Sequence, residues 1–513
     1  MIKSVHIKNF RSIKEIYIEP NSLCAILGAN SAGKTNILKA IDLVLGEGWA
    51  TKAKVAKELF YDTGQPIEIR IDFSEHIIHE YFGTNYKIHY ITLKMEMIPD
   101  FKCEVRLKSN DSTKDFYLND DFKRNCHFIY IPSNRDLSGQ LRVSNWTLLG
   151  KLMKEVYQNY INFYHNDEQK LRETFKEIIS PAREFLEDDF DANSLTYKKF
   201  SDSFVKNCSI NSLGLSNGMN PELNIYNLNW FYKTLQITLT ENQSDKVFDS
   251  EEVGSGMQNM ILISIFQTYA ELMGGKVIFG IEEPEIYLYP QAQRALYKSF
   301  QNISETSQIF YTSHNPNFID ASRAYEIEMV YKTAEDGTIN TQKNTHYINI
   351  VQADKERFKI FTQFNTERNE IFFAKKVVLV EGDSDKIFYQ TISEKLWGID
   401  LDKNGVSILS CGGKGGVSYF TGLCKAMGIE NFFSIWDSDE ELAKPQLLEG
   451  IKNEDKGLEL EPNLEAFLSK ELGLRLSSES NNKVKQAFEI ANETISKEQS
   501  EELFKGLLKF LEK

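Results

Sequence analysis

Hydrophobic and polar residues alternate with a period of two at residues 2–8 and again at 16–19, which predicts two strands joined through Asn9-Phe10-Arg11-Ser12-Ile13. The same alternation at 67–73 and 88–97 predicts antiparallel strands with one wet face. Other stretches are continuously apolar over strand length: 23–27, 127–132, 276–281 and 308–311. Such runs predict strands buried on both faces of a largely parallel sheet. Residues 36–45 carry apolar positions at helical spacing directly after the first of them. From 144 to 206 Leu, Lys, Glu, Tyr and Phe recur at helical spacing, a helical insertion that Pro181 and Asp188-Asp189-Phe190-Asp191 are expected to break. No long heptad register survives there, which excludes an extended coiled coil. Short alternating runs return at 223–226 and 235–239, and a helical run from 261 ends at Gly274-Gly275, a pair suited to a helix C-terminus. In the last third, residues 376–380, 406–411 and 431–436 are three more apolar strands leading into turns. The pattern is that of an α/β chain with two sheets in succession.

A chain of 513 residues is too long for one core and divides into two to four domains. The formal charge of −15 excludes a wholly basic nucleic-acid coat and leaves room for a local basic channel. The six cysteines form no C-x-x-C pair and have no histidine at zinc-ligand spacing, so reduced thiols are expected rather than a disulfide framework or a zinc ribbon. The amino terminus alternates like a strand instead of forming a signal-peptide block, and no apolar run is long enough to span a bilayer. A cytoplasmic protein with no membrane partner is expected.

Chemistry enters at Gly28-Ala29-Asn30-Ser31-Ala32-Gly33-Lys34-Thr35, which fits G-x-x-x-x-G-K-[ST] between a strand and a helix. Backbone N–H groups of Asn30, Ser31, Ala32 and Gly33 can curl round the phosphates of ATP, Lys34 can neutralise charge, and the Thr35 hydroxyl can hold Mg²⁺. Arg11 could reach nucleotide or DNA, or be a solvated turn cation. Val253-Gly254-Ser255-Gly256 opens a helix and is an anion site by itself only weakly. The run 276–281 ends in Glu282-Glu283-Pro284-Glu285; Glu282 is placed to hold the Mg²⁺ shell and Glu283 to polarise the attacking water. The run 308–311 leads to His314, where a side chain could sense the γ-phosphate. This ordered set resembles the ATP-binding-cassette branch of P-loop ATPases in its SMC and RecF-like form. The resemblance implies that Ser255 and Gly256 close on ATP held by a second protomer, that Glu283 is the catalytic acid, and that His314 is the switch histidine. Two positions depart from that pattern: Glu282 stands where Asp is commoner, and Met257 follows Ser-Gly where transporters have Gly.

Of the later strands, one runs into Glu381-Gly382-Asp383-Ser384-Asp385, one into Gly412-Gly413-Lys414-Gly415-Gly416 and one into Asp437-Ser438-Asp439. In a parallel sheet these ends share one edge, so Glu381, Asp437 and Asp439 would form an oxygen-rich site suited to Mg²⁺ or Mn²⁺, with Ca²⁺ as an alternative. Lys414 could touch a phosphate or cap an exposed loop. Strand-Glu-Gly followed by strand-Asp-x-Asp resembles the Toprim fold. An ATP-binding-cassette domain followed by Toprim resembles the OLD (overcoming lysogenization defect) family, the arrangement of Gabija-type and retron-associated defence nucleases. That resemblance implies a first acidic motif at Glu381 and Asp385, a second at Asp437 and Asp439, a later one at Glu461 and Glu465, and a late catalytic lysine at Lys485 or Lys483. The expected organisation is 1–143 and 207–350 for the two parts of the ATPase, 144–206 for a helical insertion that either pairs between protomers or packs onto its parent domain, 351–373 for a connector, and 374–513 for Toprim. The expected function is an ATP-regulated, Mg²⁺-dependent DNA endonuclease or nickase in antiphage defence. It would act on double-stranded DNA as a homodimer or higher oligomer, with a helicase or a retron reverse transcriptase and its nucleic acid as candidate defence partners. The alternative is a RecF- or SMC-like ATP-dependent DNA-binding or sensor ATPase whose Toprim domain does not cut.

Overall fold

A computed structural model describes residues 1–46, 48, 57–97, 100–133, 147, 149–150, 152–154, 156, 163, 167–187, 198–200, 202–203, 206, 237–240, 247–249, 252–272, 277–341, 343–353, 366–413, 416–438, 445–474 and 482–513. The chain divides into two compact units, Met1–Ser133 with Met273–Lys513, and Asn134–Leu272.

In the first unit the strands in chain order are β1 (Ile2–Phe10), β2 (Ile13–Ile18), β3 (Leu23–Leu27), β4 (Ile67–Tyr81), β5 (Thr84–Glu96), β6 (Lys102–Lys108), β7 (Phe116–Tyr117) and β8 (His127–Ile131). The second unit contributes the β9 (Thr238–Thr240) and β10 (Val247–Asp249) hairpin. The first unit resumes with β11 (Val277–Glu282), β12 (Gln308–Thr312), β13 (Ile327–Thr333) and β14 (Gly337–Asn340), then β15 (Lys376–Val380), β16 (Val406–Ser410), β17 (Phe432–Asp437) and β18 (Gly457–Leu460).

Twelve of these strands form one sheet in the order β7-β6-β5-β4-β1-β2-β14-β13-β3-β12-β11-β8. From β13 to β8 neighbouring strands are parallel, and from β7 to β13 they are antiparallel. Every residue of β3, β11 and β12 is buried, which is why their sequences read as unbroken apolar runs. The helix Lys34–Leu45 buries Ile37, Leu38, Ala40, Ile41, Val44 and Leu45 at helical spacing, within one core shared with Ile26, Phe128, Ile278 and Phe310. β4 and β5 extend well beyond the expected stretches to a two-residue turn at Phe82-Gly83, both with positive φ (48° and 72°). A register shift between Asp72 and Ile77 breaks the period-two pattern and hides the continuation from the sequence.

In the second unit the helix Glu168–Glu187 runs through Pro181, so the expected break at that proline is corrected. Proline removes one backbone donor, and the turns on either side keep theirs. The helix Ser255–Leu272 buries Leu262, Ile265, Phe266 and Tyr269 along one stripe.

β15–β18 make a separate four-stranded sheet, order β16-β15-β17-β18, with all neighbours parallel. The helices Asp383–Thr391, Gly416–Met427 and Pro445–Asn453 lie between successive strands, the βαβ alternation that parallel pairing requires. Val378, Val380, Ile408, Phe433 and Ile435 pack with Phe388, Phe504 and Leu507 in its core. Among the described residues no helix is long and apolar enough to cross a membrane.

Candidate functional site

The first site is built on the turn from β3 into the helix Lys34–Leu45. Gly28 has φ 153°, and a Cβ there would lie 2.0 Å from the Val330 carbonyl oxygen of β13. Gly33, at the helix start with φ 102°, leaves room for Thr338 of β14, whose Oγ1 a Cβ would meet at 2.1 Å. Thr338 Oγ1 donates to the Ala32 carbonyl (2.8 Å) and lies 2.7 Å from Ser12 Oγ, which accepts from Asn36 Nδ2 (2.7 Å). The β1–β2 turn and β14 thus clasp the loop from outside. Asn30 and Ser31 are exposed, Ser31 in the left-handed region (φ 63°).

Lys34 is 6 % exposed, and its Nζ donates to the carbonyls of Gly28 (2.9 Å) and Ala29 (3.1 Å) and sits 2.7 Å from His314 Nε2. Burial lowers the Lys34 pKa, against the opposing field of Glu283, Glu285 and Glu282. Burial and then the Lys34 charge lower that of His314. A neutral His314 accepts from the ammonium through Nε2, which places its proton on Nδ1.

β11 delivers Glu282 beside Thr35. Tyr130 OH donates to Glu282 Oε1 (2.7 Å), Ser133 N and Oγ donate to Oε2 (3.0 Å each), and the Thr35 hydroxyl also bonds to it. Burial pushes this carboxyl up, but those hydrogen bonds outweigh it and the pKa is lowered, so Glu282 stays ionised. Glu283 has a left-handed φ of 42°, fixed by its N–H donating to Thr312 O (3.0 Å). Burial and then neighbouring Glu285 push its carboxyl up to about 8. Its Oε1 lies 3.4 Å from His314 Nε2. Glu285, 8 % exposed, accepts from Ser313 Oγ (2.6 Å) and His314 N (3.0 Å), tying the β11 end to the β12 end.

The structure therefore brings Lys34, Thr35, Glu282, Glu283 and His314 together. It adds Tyr130 and Thr338, which no sequence motif singles out, together with Glu285, which ends the Glu-Glu-Pro-Glu run, and Ser133, which follows an apolar strand at the carboxyl end where open α/β sheets place ligand groups. Ser255 and Gly256 open their helix in the second unit, where Gly254 O accepts from Met257 N (2.9 Å) and Gln258 N (3.1 Å) and Ser255 is exposed.

The second site lies at the carboxyl ends of β15 and β17. Glu381 Oε1 accepts from the backbone N–H of Asp437 (3.1 Å), which ties the ends of the two paired strands together. Asp385 is 6 % exposed and its Oδ2 accepts from Gly382 N (3.0 Å), closing the first turn of its helix. Burial, opposed by Gly382 N and Lys483 and helped by Glu465, pushes the Asp385 carboxyl up to about 6. Glu465 in turn pairs with Lys483 Nζ (3.3 Å). Glu461 is exposed in the turn after β18, whose Leu460 and Pro462 carbonyls both accept from Ser438 N (2.9 Å each). The Lys485 side chain is 76 % exposed and pairs with Glu489 (3.6 Å) on the same helix. Two residues along a helix turn a side chain through about 200°, so Lys483 and Lys485 face opposite ways. Asp439 and Lys414 lie outside the described residues. Among the described residues no three His, Cys, Asp or Glu side chains are gathered at metal-ligand distance.

The chain matches the AAA ATPase domain model over residues 1–127 and 123–319, and the "Overcoming lysogenization defect protein-like, TOPRIM domain" model over 372–439. It is 28 % identical to the OLD nuclease of Thermus scotoductus over 91 % of this chain and 92 % of that one. Identity is 23 % to the Old nuclease of Escherichia phage P2 (84 % and 76 % covered) and 24 % to Endonuclease GajA of Bacillus cereus (80 % and 70 %). With an AAA ATPase match over more than half its length and an OLD-like Toprim domain behind it, the chain belongs to the OLD family of ATPases joined to a Toprim domain.

Proposed function

We propose that this protein is an ATP-regulated, Mg²⁺-dependent DNA endonuclease or nickase that serves antiphage defence, with residues 374–513 as the nuclease domain. The observation that carries the reading is the Glu381 carboxylate bonded to the Asp437 backbone N–H at the ends of adjacent parallel strands, with the buried Asp385 bonded to Gly382 next to Glu381. The donor set is all oxygen, which suits Mg²⁺ or Mn²⁺. Glu381 and Asp437 would hold the ions, joined by Asp439, with Glu465 and Glu461 as outer ligands. A bound pair of such ions supplies charge neutralisation to the attacking and leaving oxygens of a phosphodiester. Asp385 orders the Gly382 turn that presents Glu381, and Lys483 balances the charge of Glu465. In the ATPase, Asn30 to Gly33 with Lys34 would cradle the phosphates, Thr35 and Glu282 would hold Mg²⁺, Glu283 would take the proton of the attacking water, and His314 would report the γ-phosphate. Ser255 and Gly256 would act on the nucleotide of a second protomer in a homodimer. The similarity to two nucleases and an endonuclease supports the same chemistry.

The test is nicking of supercoiled plasmid with Mg²⁺ or Mn²⁺. The wild type should convert it to open circle and Asp437→Ala should lose the activity by about two orders of magnitude or more. Equal cutting by the variant would remove the assignment. Retention of DNA without any metal-dependent cut would leave an ATP-dependent DNA-binding protein.

A further inference from the structure

Between the two candidate sites lies one short 3₁₀ element, Thr366–Phe372. Asn369, 2 % exposed, donates from Nδ2 to the carbonyls of Pro316 (2.9 Å) and Ile319 (3.0 Å), the turn that follows His314. Two carbonyl acceptors fix which way its amide points. The residue before it reaches the other way: Arg368 Nε donates to Ser410 O (2.8 Å), the last residue of β16. Its guanidinium rests against Gly412, where a Cβ would come within 2.5 Å of Nη2. The residue after, Glu370, accepts from Ser407 Oγ of β16 through Oε2 (3.1 Å). In a 3₁₀ helix side chains step by about 120°, so neighbours face different elements. Ile371 and Phe372, each 1 % exposed, anchor the element in the core. The β16 end is itself tied to the first acid, since Cys411 N donates to Val380 O (2.8 Å) and Gly413 N to Glu381 O (2.9 Å).

We infer that Thr366–Phe372 is a strut that couples the backbone after His314 to the strand ends that present Glu381, with Asn369 and Arg368 as its positioning residues. This rests on the reading above, in which His314 responds to nucleotide and Glu381 serves the nuclease. Neither residue belongs to the phosphate loop or to the acidic motifs, so altering them separates coupling from binding and chemistry. A shift of the Pro316–Ile319 turn pulls on Asn369, and the rigid short helix passes it to Ser410 and Gly412 through Arg368. Packed cores convert small displacements into discrete rearrangements, which is the physical basis for such a link.

Hydrogen exchange of the full chain tests this, read in peptides covering residues 376–391 and 403–413 with Mg²⁺ and a slowly hydrolysed ATP analogue or without. In the wild type the nucleotide should change protection in both stretches. Asn369→Ala and Arg368→Lys should bind a fluorescent ATP analogue with wild-type affinity and lose that change. Arg368→Lys keeps the charge and removes the guanidinium geometry, so it decides if Asn369→Ala fails to fold. A wild-type exchange response in Arg368→Lys, or no response in the wild type, overturns the strut. Plasmid cleavage by the wild type is scored separately, so loss of the nuclease reading is distinguishable from loss of the coupling. If both hold, the ratio of cleavage with and without ATP should collapse towards one in the variants while cleavage without nucleotide persists.

Discussion

Glu283 combines a left-handed backbone with a carboxyl pushed up to about 8 by burial and by Glu285. Non-glycine residues pay for positive φ, and such strain persists where the surroundings over-determine it, here through the Glu283 N–H bond to Thr312. If Glu283 is the base it must be deprotonated to act, so kcat/KM for ATP hydrolysis should rise with pH through about 8. Glu285→Gln keeps an acceptor for Ser313 and His314 but removes the neighbouring charge, and should move that limb to lower pH. Glu283→Gln should lower kcat by about 10²- to 10⁴-fold. The same shift carries a stability signature. Because the folded pKa is raised, proton binding favours the native state at acid pH, and this contribution is lost as pH rises through about 8. Glu283→Gln should therefore melt with the wild type at pH 5 and above it at pH 9, measured by thermal unfolding. Equal melting at both would show that the carboxyl is not perturbed.

At the scale of elements, the P-loop is held by contacts its own motif does not contain. A Cβ on Gly28 would sit 2.0 Å from Val330 O, so Gly28→Ala must displace β13 or the loop, at a cost on the order of 1–3 kcal/mol and with loss of ATP binding by titration. Glycine at that position was legible, because the motif states it, whereas the reason lies on a strand some three hundred residues later. The buried parallel strands were legible because burial on both faces leaves an unbroken apolar run. The full length of β4 and β5 was not, since the register shift after Asp72 interrupts the alternation. Glu285 was seen as a residue but not as a tie, because its partners, Ser313 and His314, come from the next strand. The late lysine shows a third kind of gap, a matter of helical phase: Lys483 pairs with Glu465 and bears on Asp385, and Lys485 faces solvent. Lys485→Ala should leave metal-dependent cleavage unchanged and stability within about 0.5 kcal/mol, while Lys483→Ala should impair cleavage. The opposite order would restore Lys485 to the site.

For the whole molecule, the ATPase motifs fall in two compact units of one chain, with Lys34 and Glu283 in one and Ser255 in the other. If Ser255 serves the nucleotide of a second protomer, two different inactive chains should repair each other. Lys34→Ala should disable the proposed phosphate cradle of its own chain and leave its Ser255 helix intact. Ser255→Arg puts a bulky cation at an exposed helix start and leaves its own cradle intact. In a mixed dimer one composite site carries both lesions and the other carries neither, so mixing the two should restore part of the ATPase rate that each lacks alone. Reciprocal completion of this kind needs a closed two-fold assembly, which the same mixture reports by ATP-dependent change in mass on sizing. Activity in Ser255→Arg alone would mean that this helix does not complete the site. Silence in the mixture, with both variants folded and dimeric, would place Ser255 and Lys34 in the same site of one chain.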